Sequence, residues 1–197
     1  RSHRRVLFCI DPRRERVDVT LPVLGIHHAL DALAGLAVAE RLGVPLDRAA
    51  AALGNYLPLA MRQQIYHANE VTVIDDSYNS SPDAAKSSLS VLSGFQTGRR
   101  VAVLADMLEL GEYSRQAHFE VGVCAAENGV DILLTVGPEA KAVVDGARSA
   151  RSGIDCRVFD NNDQAIAELK SFLSPGDAVL VKGSRGMHMD EIVRALL

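Results

Sequence analysis

Two grammars of apolar and polar positions divide this chain at about Pro58. Beyond it, short β-branched apolar runs alternate with longer segments of helical spacing. The runs predict strands at Val71 to Asp75, Val101 to Leu104, Ile132 to Val136, Cys156 to Phe159 and Ala178 to Lys182. The longer segments predict helices at Pro82 to Ser93, Ser114 to Asn128, Glu139 to Ala150, Asn162 to Leu173 and His188 to Leu197. Strict alternation of this kind makes an α/β domain, a Rossmann-like, mostly parallel sheet with helices on both faces. Before Pro58 the pattern differs. Val6 to Ile10 and Arg16 to Leu21 read as two strands joined by a turn at Asp11, Pro12 and the charged run Arg13 to Arg16. The Ala- and Leu-rich segment His27 to Leu42 predicts a buried helix closed by Gly43, and Asp47 to Leu53 a short second one. The break at Leu57, Pro58 and Leu59 sets the expected boundary between a unit 1–59 and a unit 60–197.

A chain of 197 residues is long enough for one large domain or for one domain and part of another. A net charge of −4 with scattered Lys and Arg lacks the basic face of a nucleic-acid binder. Cys9, Cys124 and Cys156 are odd in number and without C-x-x-C spacing, which disfavours a disulfide scaffold or a zinc site and fits reduced thiols in a cytoplasm. No apolar run reaches the ~18 residues of a membrane span, and no signal peptide opens the chain. Without an initiating Met, and entering strand-like sequence at once, the chain reads as cut from something longer.

The strand ends carry the chemistry. Val71 to Ile74 stops at Asp75 and Asp76, and Ser81, Pro82 and Asp83 then read as N-cap, first-turn proline and first-turn acid of a helix. The polar stretch between them, with Asn79 in its middle, lies where open α/β sheets bind ligands. Asp76 suits sugar hydroxyls or a cation, or else an Asx turn. Lys182, Gly183, Ser184 and Arg185 set an ammonium, a flexible backbone, a hydroxyl and a guanidinium before a helix start, a combination that favours a carboxylate or phosphate. Arg62 follows the Pro58 break, where a guanidinium can reach across a cleft, though a surface role is the commonest for its type. His27 and His28 head an apolar helix, with His27 and Asp31 also placed as an ordinary helix pair. No set of residues has metal-ligand spacing. The phosphate-cradling G-x-x-x-x-G-K-[ST] is absent from these residues, and so is G-x-G-x-x-G.

Three stretches in order, IDDSYNSSPDAA, LADMLELGEYSRQAHFEVG and VKGSRGMHMDEIV, resemble the C-terminal part of a Mur ligase, with similarity from about Leu21 to Leu197. The resemblance implies an ATP- and Mg²⁺-dependent amide ligase that adds D-alanyl-D-alanine to UDP-N-acetylmuramoyl-tripeptide through an acyl phosphate. It also implies that residues 1–59 are the tail of a central ATP-binding domain and residues 60–197 the C-terminal domain. Asp76 would contact the ATP ribose and Arg62 the phosphates, while Lys182 to Arg185 and Asn79 would face the dipeptide. The adenine-framing asparagines of the family are replaced by His28 and Asp31, of which an ionised Asp accepts hydrogen bonds but cannot donate. Met61 and Ala105 stand where the family has glycine, before Arg62 and Asp106.

Two other readings compete. Asp75, Asp76, Asp106, Thr135 and Lys182 imitate the acid, hydroxyl and lysine set of a phosphoacceptor receiver, but the interval from Asp76 to Asp106 has room for one helix and no extra strand. A non-catalytic binding module on the same fold is the other.

Overall fold

The computed structural model describes residues 4–8, 17–96 and 98–197, the first of these segments as backbone. The chain forms two compact units, residues 1–58 and 59–197.

In the first unit β1 (Arg4–Phe8) pairs antiparallel with β2 (Val17–Leu21), with Arg4 opposite Leu21. The expected turn, with Cys9, Ile10 and Asp11 to Arg16, lies outside the described residues. Helix α1 (Ile26–Arg41) ends at Gly43, whose φ of 76° is open to glycine at little cost. The Gly43 and Val44 amides donate to the carbonyls of Glu40 and Ala39, the paired bonds of a Schellman cap. Helix α2 (Leu46–Leu53) follows. Val19, Leu21, Ala29, Ala32, Leu36 and Ala50 make this unit's core. The burial expected for α1 holds on one face only. Ala29, Ala32 and Leu36 point inward while Leu30 and Val38 are exposed, because a two-stranded ribbon and one short helix offer apolar cover to a single side.

The second unit is built on a six-stranded sheet in the order β3-β4-β8-β5-β6-β7. Its strands are β3 (Gln64–Ala68), β4 (Val71–Asp76), β5 (Arg100–Ala105), β6 (Ile132–Val136), β7 (Asp155–Phe159) and β8 (Ala178–Lys182). All neighbours run parallel except β3, which is antiparallel to β4. The antiparallel edge strand was not anticipated. It joins β4 through Asn69 and Glu70, both at positive φ (50° and 61°), as a two-residue hairpin loop of primed type requires.

Side chains alternate across the sheet and so divide its apolar residues between two layers. Ile74, Ala102, Leu104, Leu133 and Leu180 face α3 (Pro82–Ser93), α4 (Ser114–Glu127) and α5 (Lys141–Ala150). Val73, Val101, Val103, Leu134, Val179 and Val181 face α6 (Asn162–Phe172) and α7 (Asp190–Leu196). Helices α4 and α5 approach closely, since a Cβ on Gly122 or Gly146 would run into the carbonyl of Val143 or Phe119. The return of β8 to a place between β4 and β5 sets Asp76 in register with Lys182, which builds the site.

Candidate functional site

The C-terminal ends of β4 and β8 adjoin, and their last residues point to the same face. Asp76 and Lys182 therefore meet as a buried ion pair, Nζ to Oδ2 at 2.6 Å. Lys182 also donates to the Asn79 carbonyl at 2.9 Å. Ser88, on the first turns of α3, donates its hydroxyl to the same Asp76 oxygen at 2.6 Å. A charge pair at this depth is stable only when its remaining valences are met, and these contacts meet most of them. Helix α3 is fixed against the pair by its start: Ser81 caps it, accepting from the Ala84 amide at 3.4 Å, and Pro82 follows.

Asp76 has a second engagement that organises the segment before β3. Its Oδ1 accepts from the Gln63 amide at 3.2 Å, and the Tyr78 amide donates to the Met61 carbonyl at 3.1 Å. Met61 and Gln63 both have positive φ, 62° and 48°. Arg62 is thus presented from a tight turn whose two flanking residues adopt left-handed backbone, a conformation that costs a non-glycine residue about 1–2 kcal/mol. The strain falls on Met61, in the place where the resembled sequences keep glycine.

From that turn the Arg62 guanidinium lies over the Tyr78 ring, 4.2 Å from its centroid. Arg185 reaches the same ring from the other strand exit, at 5.9 Å. Among the described residues Arg62 has no carboxylate partner. The carboxylate nearest Arg185 is Asp190 at 3.7 Å, whose other oxygen is taken by Arg194 at 2.8 Å. Two exposed guanidinia gathered around one half-exposed aromatic ring, in the loop that leaves a buried ion pair, can serve oxyanions.

The run Lys182 to Arg185 does not act as four adjacent groups. Lys182 turns inward to Asp76. Gly183 is buried, and a Cβ there would meet Ala105 Cβ and Met189 Cγ at 2.7 Å each. Ser184 accepts from the Leu108 amide at 2.8 Å and its own amide donates to the Asp106 carbonyl at 3.1 Å. Arg185 alone projects outward. The exposed Asn79 uses Oδ1 to accept from the Ser80 amide at 2.9 Å, which leaves its amide NH₂ to a ligand.

Asp75 points to the α7 face and accepts from both the amide and the hydroxyl of Ser77, at 3.1 and 2.5 Å. Burial pushes its carboxyl up, against the pull of the Ser77 hydrogen bonds, and the charges of Asp76 and Asp190 add to the rise. Asp106 is likewise pushed up by burial, partly offset by the Ala140 amide at 2.7 Å. It is 3% exposed, and a Cβ on Gly137 would strike its carboxyl, so no face is open to a phosphodonor. The receiver reading fails on that burial and on the antiparallel β3. Near Asp106 the buried His118 accepts the Met107 amide at Nε2, 2.9 Å, and Nδ1 lies 2.8 Å from the Ser114 carbonyl, which puts its proton on Nδ1.

His28 and Asp31 lie in the first unit, with Nδ1 to Oδ2 at 3.8 Å and the His27 and His28 rings 4.3 Å apart. Arg62, Asp76, Asn79, Lys182, Gly183, Ser184 and Arg185 all lie in the second. Sequence reasoning missed Tyr78, Gln63 and Ser88. Tyr78 alone had a visible signal, as an aromatic residue in a polar strand-to-helix loop.

Comparison with known proteins identifies the family. The family described as Mur ligase, glutamate ligase domain, matches residues 61–185. The UDP-N-acetylmuramoyl-tripeptide–D-alanyl-D-alanine ligase of Escherichia coli (strain K12) is 36% identical over 192 residues, covering 96% of this chain and 41% of that protein. A MurF structure from Acinetobacter baumannii superposes with a TM-score of 0.82 at 28% identity, covering 92% of this chain and 39% of the other. MurF ligase from Thermotoga maritima, in complex with ADP, gives 0.78 at 26% identity over 92% of this chain and 40% of the other. The chain thus spans about two fifths of the length of the relatives it matches. By the match over most of its second unit, this chain belongs to the Mur ligase family.

Proposed function

We propose that this chain is the C-terminal part of an ATP-dependent ligase that adds D-alanyl-D-alanine to UDP-N-acetylmuramoyl-tripeptide in the cytoplasm. Residues 1–59 are then the tail of the central ATP-binding domain and residues 60–197 the C-terminal domain. The observation that carries this reading is the pair of guanidinia, Arg62 and Arg185, on Tyr78 with no hydrogen-bonded carboxylate. In such a ligase ATP converts the tripeptide carboxylate to an acyl phosphate, and the dipeptide amine displaces phosphate from it.

The chain's own residues divide that work. Arg62 neutralises the phosphoryl oxygens. Asp76 Oδ1, with one donor at 3.2 Å, has a lone pair left to accept from a ribose hydroxyl. Arg185 takes the dipeptide carboxylate and the Asn79 amide orients its backbone. Lys182, Gly183 and Ser184 hold the strand exit from which Arg185 projects. By the family resemblance His28 and Asp31 serve the adenine, Asp31 as an acceptor for its amino group. Among the described residues no group of three or more His, Cys, Asp or Glu is arranged to hold a metal ion, so no step is assigned to Mg²⁺ on this chain. Among them, too, no helix is long and apolar enough to cross a membrane.

Calorimetric titration of the 197-residue chain with ATP and, separately, with D-alanyl-D-alanine tests the assignment. Arg62→Ala is expected to abolish the heat of ATP binding and Arg185→Ala that of the dipeptide. Heats indifferent to both substitutions would overturn it. Lacking a phosphate loop, the chain is also expected to release no phosphate from ATP when both substrates are supplied.

A further inference from the structure

We infer that Tyr78 is a positioning residue shared by both arginines, coupling an oxyanion site at Arg62 to a second at Arg185. The inference rests on the oxyanion reading above and adds the residue that makes two sites act as one.

Arg62 and Arg185 come from segments far apart in sequence, the turn before β3 and the exit of β8. An exposed arginine on such a turn ordinarily samples many rotamers, and ordering it costs side-chain entropy. Here one ring collects both guanidinia, so they can be no farther apart than the sum of their distances to its centroid. Three further contacts knit the same group. The Tyr78 amide holds the Met61 carbonyl, Arg185 Nη1 lies 3.4 Å from the Met61 sulfur, and the Gln63 amide is bound by Asp76. Tyr78 therefore fixes the Arg62 turn through its backbone and the Arg62 guanidinium through its ring. An arginine stacked on an aromatic face keeps its N–H edge free for an in-plane acceptor, the geometry that phosphoryl and carboxylate oxygens need. The tyrosine hydroxyl has no part in this: the ring face suffices.

The two contributions of Tyr78 can be separated, because every substitution keeps the amide. Arginine side-chain Nε–Hε NMR signals of the full chain report the ring. In the ligand-free protein both the Arg62 and Arg185 signals are expected to move in Tyr78→Leu and to stay in place in Tyr78→Phe. Titration with inorganic phosphate and, separately, with D-alanyl-D-alanine gives the second readout. Tyr78→Leu is expected to weaken both roughly three- to fivefold, and Tyr78→Phe to restore wild-type affinity. Unchanged affinities in Tyr78→Leu, or a loss for one ligand alone, would overturn the shared role while leaving the proposed function standing. If the unmodified chain bound neither anion, the oxyanion reading itself would fall, and this inference with it.

Discussion

The two edges of the sheet each carry arginine, and the protein treats them differently. At the entry edge Arg99 is bolted: Nε and Nη2 donate to the two oxygens of Asp177 at 3.0 and 2.6 Å, and Nη2 also to the Phe172 carbonyl at 2.9 Å. Asp177 is 2% exposed and accepts the Ser174 amide as well. At the exit edge Arg62 and Arg185 are oriented by a ring, and the buried carboxylate beside them, Asp76, is spent on Lys182 instead. A guanidinium whose fork is filled by the protein's own carboxylate is a structural part. One that is held in place with no hydrogen-bonded carboxylate is available to an oxyanion. The difference lies in where the neighbouring carboxylate points, and breaking each arrangement should yield a different loss.

The largest effect is expected from Lys182. Replacing it with Met leaves Asp76 buried and uncompensated, at a cost of about 3–5 kcal/mol in urea unfolding, and adding Asp76→Asn should recover much of it. If Lys182 were instead held out for a ligand, its loss would cost binding and little stability. Next comes Arg62→Ala, expected to lower the rate of an active ligase containing this chain about 10²- to 10³-fold, with stability within about 0.5 kcal/mol of the parent. A melting shift as large as that of Lys182→Met would place Arg62 with Arg99 as a bolt.

The sequence disclosed these edges unevenly. Apolar runs ending in Asp75, Asp76 and Lys182 marked strand exits because a buried strand is legible as an uninterrupted β-branched stretch. The Ser81-Pro82-Asp83 start was legible because capping is local. Strand β3 was not, since Gln64–Ala68 is only partly buried on a sheet edge and its turn, Asn69-Glu70, lacks the glycine that announces a hairpin. The Asp76–Lys182 pair was hidden for a deeper reason. It joins residues 106 positions apart through the insertion of β8 between β4 and β5, and strand order has no local periodicity. That same insertion sends Lys182 inward, while Arg185 three residues on is exposed, so neighbours in sequence part between a buried ion pair and the surface.

A smaller effect distinguishes the edges by pH. At the entry edge burial pushes Asp177 up, but the Arg99 fork and the Ser174 amide outweigh it and leave the carboxyl below its usual range. Its stabilisation is therefore present above the unfolded carboxylate value and is lost as pH falls through the lower, folded one. Asp177→Asn should cost about 1–2 kcal/mol at pH 7, discounted because Arg99 is 38% exposed. The gap to the parent should close below about pH 4. Asp75, at the exit edge, has the opposite sign. Raised by burial, it favours the folded state below its unfolded value, and that contribution is lost as pH rises through the folded one. Asp75→Asn should accordingly stabilise at neutral pH, with the advantage vanishing in acid. Parallel pH profiles for the two variants would refute the contrast.

The least effect belongs to Thr135, and it tests whether an unmatched polar group is enough to mark a site. Its hydroxyl is fully buried near the exit of β6 and has no hydrogen-bond partner among the described residues. By the rule of empty valences alone it would count with Arg62. It differs in accessibility: at 0% exposure no ligand reaches it, so the unmet hydroxyl is a cost carried by the fold. Thr135→Val keeps the branched shape of a central strand residue and removes that cost. It is expected to raise stability by up to about 1 kcal/mol and to leave phosphate and dipeptide binding untouched. Weakened binding in this variant would mean that the exit edge opens deeper than the Tyr78 surface, and the receptor would then extend past the two arginines toward β6.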